Sequence, residues 1–245
     1  MPLSSNSSAR SYGTAFHAER DSQTRPTARI ILSHLFNICQ IKSVCDVGCG
    51  VGTWLSAAQE LGAESVLGFE GPWVAASQME VDPLIVKQQD LEQPIQVDMR
   101  FDLVMSLEVA EHLTPTRGPS LVAELCNLSD LVLFSAAILH QGGTGHKNER
   151  WQSYWAGLFD EQGFDAIDAI RPLIWNDKSI PWWYRQNMLL YVRRETSVAA
   201  KLFSTGLSTA SYVDVVHPDL FMHAEKRQPA RALKRLAGQF LGGSR

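Results

Sequence analysis

A short apolar run that breaks at once into glycines at every second position constrains this chain most. Ser43-Val44-Cys45 leads into Asp46-Val47-Gly48-Cys49-Gly50-Val51-Gly52-Thr53-Trp54, and a helical pattern follows. A strand must therefore turn sharply into a helix. Glycine suits such a turn because it accepts unusual backbone angles and leaves room for a ligand against bare backbone. The first turn of the new helix adds unpaired N–H groups to the same crevice. The chain is thus built to hold a nucleotide-like ligand.

The spacing is G-x-G-x-G, with Thr53 where the third glycine of a dinucleotide fingerprint would fall. Taken alone, this leaves nicotinamide and other nucleoside sites open. The strands that follow narrow the choice. Ser65 to Glu70 reads as a second strand ending in an acid about twenty residues beyond the glycines, where a carboxylate would hold a ribose diol. Leu84 to Leu91 reads as a third strand ending in Asp90. Phe101 to Leu107 reads as a fourth, running into Glu108-Val109-Ala110-Glu111-His112. Polar residues at the carboxyl ends of successive strands describe a ligand crevice along one edge of an open α/β sheet.

These motifs resemble those of the class I S-adenosylmethionine (SAM)-dependent methyltransferases over roughly residues 40 to 195. The resemblance implies that Asp46, Gly48 and Gly50 lie beside the methionine part of SAM. It also implies that Glu70 binds the ribose hydroxyls and that Asp90-Leu91 reads the adenine. Glu108, Glu111 and His112 would lie near the transferred methyl, with Glu108 counted among the cofactor-binding residues. Phe134 to Trp155 and the later Trp182-Trp183-Tyr184-Arg185-Gln186-Asn187 resemble a bacterial subgroup associated with surface-saccharide or secondary-metabolite gene neighbourhoods.

The chain has 245 residues, 45% of them apolar, enough for one sizeable α/β domain. A net charge of -4 gives no electrostatic reason to expect nucleic acid. No apolar run is long enough for a membrane span, and the serine-rich start lacks the apolar core of a signal peptide. Cysteines 39, 45, 49 and 126 fit no disulfide framework and read as reduced, small buried residues. A cytoplasmic location is expected.

The expected architecture is a doubly wound, mostly parallel seven-stranded sheet with an antiparallel edge. Residues 1–25 are read as a flexible lead-in, 26–195 as the SAM-binding methyltransferase domain, and 196–245 as a tail. Apolar spacing predicts helices over 27–38, from Trp54, over 119–126 and over 151–163, with a short one opening at Pro72-Trp73. Asp130 to Ala136, Phe164 to Ile170 and Gln186 to Val192 complete the strands. Residues 224–240 can form an amphipathic helix with a basic face, suited to solvent, a homodimer contact or an anionic membrane.

Methyl transfer from a sulfonium needs an aligned nucleophile and, for a hydroxyl acceptor, a proton acceptor. Histidine matches that task near neutral pH. The catalytic candidates are His112, after the fourth strand, and His146, in the loop Gln141-Gly142-Gly143-Thr144-Gly145-His146, which could fold over the crevice mouth. His112 could instead cap a helix, and His146 could be an exposed loop residue. His140, His146 and Glu149 could in principle ligate a divalent ion, but no tight carboxylate cluster accompanies them and no metal is expected. Trp182-Trp183-Tyr184 either walls the acceptor pocket or fills a gap between helix and edge strand.

No N-P-P-[YW] stretch of the kind used on exocyclic amines of DNA occurs, and no Pro-Cys pair of a cytosine C5 enzyme. The expected acceptor is a small or medium polar molecule, foremost a hydroxyl of a sugar or natural product. Two other classes stay open: an NAD-dependent oxidoreductase, although no Tyr-x-x-x-Lys pattern supports it, and a SAM-binding protein without catalysis.

Overall fold

The computed structural model describes residues 14–223, with side chains from residue 23 onward. The tail helix expected over 224–240 lies outside the described residues. The chain alternates strand and helix. The strands are β1 (Ser43–Val47), β2 (Ser65–Glu70), β3 (Val86–Gln88), β4 (Leu103–Leu107), β5 (Leu131–Ser135), β6 (Phe164–Ile167) and β7 (Leu189–Arg193). The longer helices are α1 (Thr14–Ile38), α2 (Thr53–Glu60), α3 (Gly118–Leu128) and α4 (Gln152–Glu161). Short helices α5 (Arg171–Ile174) and α6 (Trp182–Asn187) precede β7, and α7 (Ser197–Ser204) follows it.

The sheet order is β3-β2-β1-β4-β5-β7-β6. Strand β7 runs antiparallel to both its neighbours, and every other pairing is parallel. The expected antiparallel pair is therefore present, but β7 is inserted between β5 and β6, and β6 forms the edge. A parallel sheet is covered on both faces, so its strands read as continuous apolar runs. Alternation still sorts their side chains. Val44, Leu103, Met105, Leu131 and Leu133 face the α1/α2 side. Cys45, Val47, Val104, Val132 and Phe134 face α3 and α4.

Helix α1 begins before the start that the apolar spacing predicts and carries Pro26 inside it. Its buried stripe is Ala28, Ile31, Leu32 and Leu35, the i, i+3, i+4, i+7 pattern of one helix face. Arg25 and Arg29 pair with Glu60 at 2.5 and 2.7 Å and tie α1 to the end of α2. The helix expected at Pro72-Trp73 is a turn, followed by a single 3₁₀ turn over Ala76–Gln78. Strand β7 starts at Leu189 rather than Gln186, because Gln186 and Asn187 close α6. Before β4, one carboxylate oxygen of Asp102 accepts the N–H groups of Lys42 and Ser43 and the Ser43 hydroxyl, pinning the starts of β1 and β4 together. All four cysteines are free and buried.

Candidate active site

The β1–α2 turn does what its glycines demand. Gly48, Gly50 and Gly52 all have positive φ, at 88, 56 and 87°. The turn is closed from below and open from above. A Cβ on Gly48 would lie 2.3 Å from Val109 Cγ2, so the chain after β4 packs directly on this backbone. A Cβ on Gly50 would meet nothing within 4 Å. The space over Gly50 is where a ligand can approach.

Two buried acids border that space. Glu70, at the end of β2, accepts the Gly50 N–H at 2.7 Å with one oxygen and the Gly71 N–H at 2.8 Å with the other. A carboxylate has about four acceptor positions, so a diol can still bind the same group. Asp46 is 2% exposed, and burial, reinforced by the nearby Glu70 charge, raises its pKa to about 8. Such a cost fits a group that awaits a positively charged partner. Asp90 is exposed beyond β3 and caps its own turn by accepting the Glu92 N–H at 3.0 Å. The Leu91 side chain is packed in the core below it, so its backbone is what it can offer a ligand.

The other half of the crevice lies beyond β4. Glu108 leaves β4 with φ 58°, an unusual conformation for a residue with a side chain. Asn187 Nδ2 donates to its carboxylate at 3.1 Å. The next turn, Ala110–His112, carries Glu111 buried and His112 at its end. Glu111 is held well above the ordinary carboxyl pKa, first by burial and then by the charge of Glu108.

The loop after β5 is strapped onto this turn. The N–H groups of Lys147 and Asn148 both donate to the Glu111 carbonyl, at 2.7 and 3.0 Å. That docking brings His146 to His112, with ring centroids 4.9 Å apart and planes nearly perpendicular. Glu149 organises the loop: it accepts the backbone N–H groups of His140 and Gly142 and lies 2.9 Å from His146 Nδ1. The His146 side chain is only 12% exposed, so it is not a solvated loop residue. A cavity of about 340 Å³ opens beside it, lined by Leu139, Gly142, Gly143, His146, Lys147 and Glu149. A larger cavity of about 600 Å³, lined by residues 95–100 and part of α3, lies away from these groups and contains none of the expected site residues.

The structure thus brings His112 and His146 together and sets them beside Glu108 and Glu111. His140 is exposed, and Glu149 holds the loop and orients His146. Sequence reasoning missed the buried amides behind Glu108. Asn187 Nδ2 also donates to Gln141 Oε1 at 3.0 Å, Gln186 Nε2 donates to the same oxygen at 3.2 Å, and Gln186 Oε1 accepts the His217 N–H at 2.9 Å. The only sequence signal was a Gln-Asn pair between an aromatic run and an apolar strand. Of that aromatic run, Tyr184 packs edge-on against Trp54 at 5.5 Å and Trp183 packs against the core. These two close the gap between α6 and α2.

The sheet order separates this fold from the dinucleotide order 3-2-1-4-5-6, because an antiparallel strand sits between the last two parallel ones. A family profile described as a methyltransferase domain matches residues 20–169. The chain belongs to that methyltransferase family.

The fold is shared with solved methyltransferases. Magnesium protoporphyrin IX methyltransferase from Synechocystis PCC 6803, crystallised with bound S-adenosylhomocysteine, is 18% identical. The match covers 76% of this chain and 90% of that one, with TM-score 0.53. An O-methyltransferase family protein from Burkholderia thailandensis is 14% identical with TM-score 0.56, over 75% of this chain and 59% of that one. An O-methyltransferase from neocarzinostatin biosynthesis, in complex with SAM and 2-hydroxy-5-methyl naphthoic acid, is 15% identical with TM-score 0.50, over 73% of this chain and 57% of that one. No curated protein sequence matches the chain. The methyltransferase family and fold carry SAM as the methyl donor. Among the described residues, no helix is long and apolar enough to cross a membrane.

Proposed function

We propose that this methyltransferase moves the methyl group of SAM to a hydroxyl of a small or medium polar acceptor, foremost a sugar or natural-product hydroxyl. The observation that carries the reading is the His112–His146 pair, 4.9 Å between rings, at the β4 end of the crevice and beside a cavity of about 340 Å³. The bound sulfonium supplies an electrophilic methyl and a neutral leaving group. Everything else falls to this chain. Asp46, Gly48 and Gly50 seat the methionine part, Glu70 takes the ribose hydroxyls and Asp90-Leu91 meets the adenine. Glu108, pinned by Asn187, borders the methyl.

In the displacement, the acceptor oxygen forms its bond to the methyl carbon as the carbon–sulfur bond breaks, and the hydroxyl proton must leave. The imidazole pair is the group that draws that proton away. Glu149 favours the tautomer with a proton on His146 Nδ1, which leaves the Nε2 lone pair for this work. The enclosed amides of Gln141, Gln186 and Asn187 hold this half of the crevice in place. The sheet order and the family match both speak against the oxidoreductase alternative.

The test is S-adenosylhomocysteine release from SAM across a panel of acceptors: sugars and nucleotide sugars, phenols, carboxylic acids and amines. Turnover with a hydroxyl compound, lowered at least about 100-fold in His112→Ala or His146→Ala, is expected for lost acid–base help. Turnover confined to amines or carboxylates, or unchanged by both substitutions, contradicts the reading.

A further inference from the structure

We propose that Glu111, His112 and His146 form a binding site for a divalent first-row transition-metal cation of the zinc or iron(II) type. One carboxylate oxygen of Glu111 and one ring nitrogen of each histidine lie within 4.8 Å of one another. Glu111 and His112 are neighbours on one tight turn, and His146 arrives on a separate loop. The Lys147 and Asn148 N–H groups fix that loop to the Glu111 carbonyl. Convergence of three donors from two segments, tied together by backbone bonds, is a built arrangement rather than a chance encounter of long side chains.

Two independent observations point to a ligand. Glu111 is 1% exposed, and no amide, hydroxyl or cationic donor reaches its Oε2; its neighbour is the Glu108 carboxyl, a second acid in hydrogen-bond contact rather than a fixed donor. Buried carboxylate oxygens are nearly always satisfied, and one without such a donor calls for an explanation such as an ion. The second concerns His146, whose Nδ1 lies 2.9 Å from Glu149 Oε1. A metal-ligating histidine typically gives its other ring N–H to a carboxylate, which fixes the tautomer and makes the free nitrogen a better donor. A Cβ on Gly143 would lie 2.2 Å from His146 Nε2, so glycine at that place is what lets the ring pack this closely on the loop backbone.

The donor set selects the cation. Two imidazoles and one carboxylate suit zinc, iron(II), cobalt or nickel, whereas magnesium and calcium favour all-oxygen shells. Bonds of about 2.1 Å in a tetrahedral site put donors about 3.4 Å apart, so the three groups close inward by at most roughly 1 Å. Gly142 and Gly145 flank the loop that carries His146, with φ of 69 and 76°, and glycine accepts the backbone adjustments that such a closure requires. The neighbouring cavity leaves room for a further ligand, such as an acceptor hydroxyl or a catechol-like pair of oxygens.

The binding of the cation does not depend on the proposed methyl transfer, but its role there does. With the cation bound, His112 and His146 act as its ligands. Coordination then lowers the pKa of the acceptor hydroxyl, and its proton leaves to solvent water. This departs from the sequence expectation of a metal-free site.

The experiment is calorimetric titration of the chelator-treated full chain with zinc, cobalt(II) and magnesium, without SAM, together with the cobalt absorption spectrum. The expected result is one zinc or cobalt per chain, at least tenfold tighter than magnesium, with a spectrum lacking thiolate charge transfer. His112→Ala and His146→Ala should each weaken zinc about 30-fold or more, and Glu149→Gln about 10- to 100-fold. His140→Ala, at the exposed histidine of the same loop, should leave it unchanged. Circular dichroism and S-adenosylhomocysteine binding report that each variant is folded, and the wild-type cobalt spectrum stands even if one is not. No stoichiometric binding, a magnesium preference, a thiolate band, or zinc binding indifferent to His112 and His146 overturns the site. S-adenosylhomocysteine binding and acceptor turnover are read separately, so failure of the cation site and failure of the methyl-transfer reading cannot be confused.

Discussion

The two halves of the crevice are made of different material. On the β1–β3 side the crevice is lined by backbone: a glycine turn, the start of a helix and acids at strand ends, all determined within about fifty residues of chain. On the β4–β7 side it is lined by side chains gathered from far apart, with Asn187 bonded to Glu108 and to Gln141, and His146 brought to His112 by a loop docked on Glu111. Under the proposed function the first half holds the cofactor and the second chooses the acceptor; the second is held by a buried polar network that must be satisfied as a whole.

The largest effect expected from breaking this contrast is on the side-chain half. His146→Ala should lower turnover of a hydroxyl acceptor by about 10²- to 10⁴-fold, while S-adenosylhomocysteine affinity stays within about threefold. Single-turnover kinetics and calorimetry check the two parts. Equal loss in both would mean that the halves are not separable.

The glycine turn offers a sharper cut within the other half. Gly48→Ala drives a Cβ into Val109 and demands a left-handed alanine, so it should cost about 2–5 kcal/mol of stability. Gly50→Ala carries only the backbone strain, about 1–2 kcal/mol, because its Cβ enters open space. That Cβ occupies ligand room, and S-adenosylhomocysteine affinity should fall at least about tenfold. Denaturant melts and calorimetry on the pair distinguish packing glycine from binding glycine.

Next in size is the amide network. Asn187→Leu leaves Gln141 Oε1 and the Glu108 carboxylate each short of a donor, at about 1–3 kcal/mol, or a fall in Tm of roughly 3–10 °C. An unchanged Tm would show that the network does not hold the acceptor half.

How much of this was legible follows from the same contrast. The Asp46–Gly52 turn, the second strand ending in Glu70 and the residues to either side of β4 could be read directly, because local spacing determines them. The meeting of Asn187 with Glu108, 79 positions apart, could not, since only the β7 insertion between β5 and β6 brings them together. The pairing of His146 with His112 rests on two backbone bonds to the Glu111 carbonyl, which no residue pattern announces. The early start of α1 was hidden by Pro26, a residue that normally argues for a break. Glu111 was named from the family resemblance, but its burial, with no donor reaching Oε2, belongs to the fold alone.

The smallest expected effect is a pH dependence seated in the backbone half. Asp46 has a folded pKa raised to about 8, against about 4 when unfolded, so the folded state holds the extra proton between those values. The stability contributed by this group is therefore full below about pH 4 and is lost as pH rises through 8. A cationic ligand group that pairs with the ionised Asp46 displaces that proton. SAM affinity should then rise a few-fold per unit from pH 6 to 8 with release of up to one proton, read from calorimetry in buffers of different ionisation enthalpy. Asp46→Asn should abolish the dependence.

The proposed function requires that the glycine turn and the acids of β2 and β3 hold an adenosyl methyl donor. Titration of the purified chain with SAM, S-adenosylhomocysteine and NAD, beside Asp90→Ala, tests it most directly. Saturable binding of both adenosyl ligands, weakened in the variant, and no measurable binding of NAD are expected. Binding of NAD with none of SAM or S-adenosylhomocysteine would contradict that requirement.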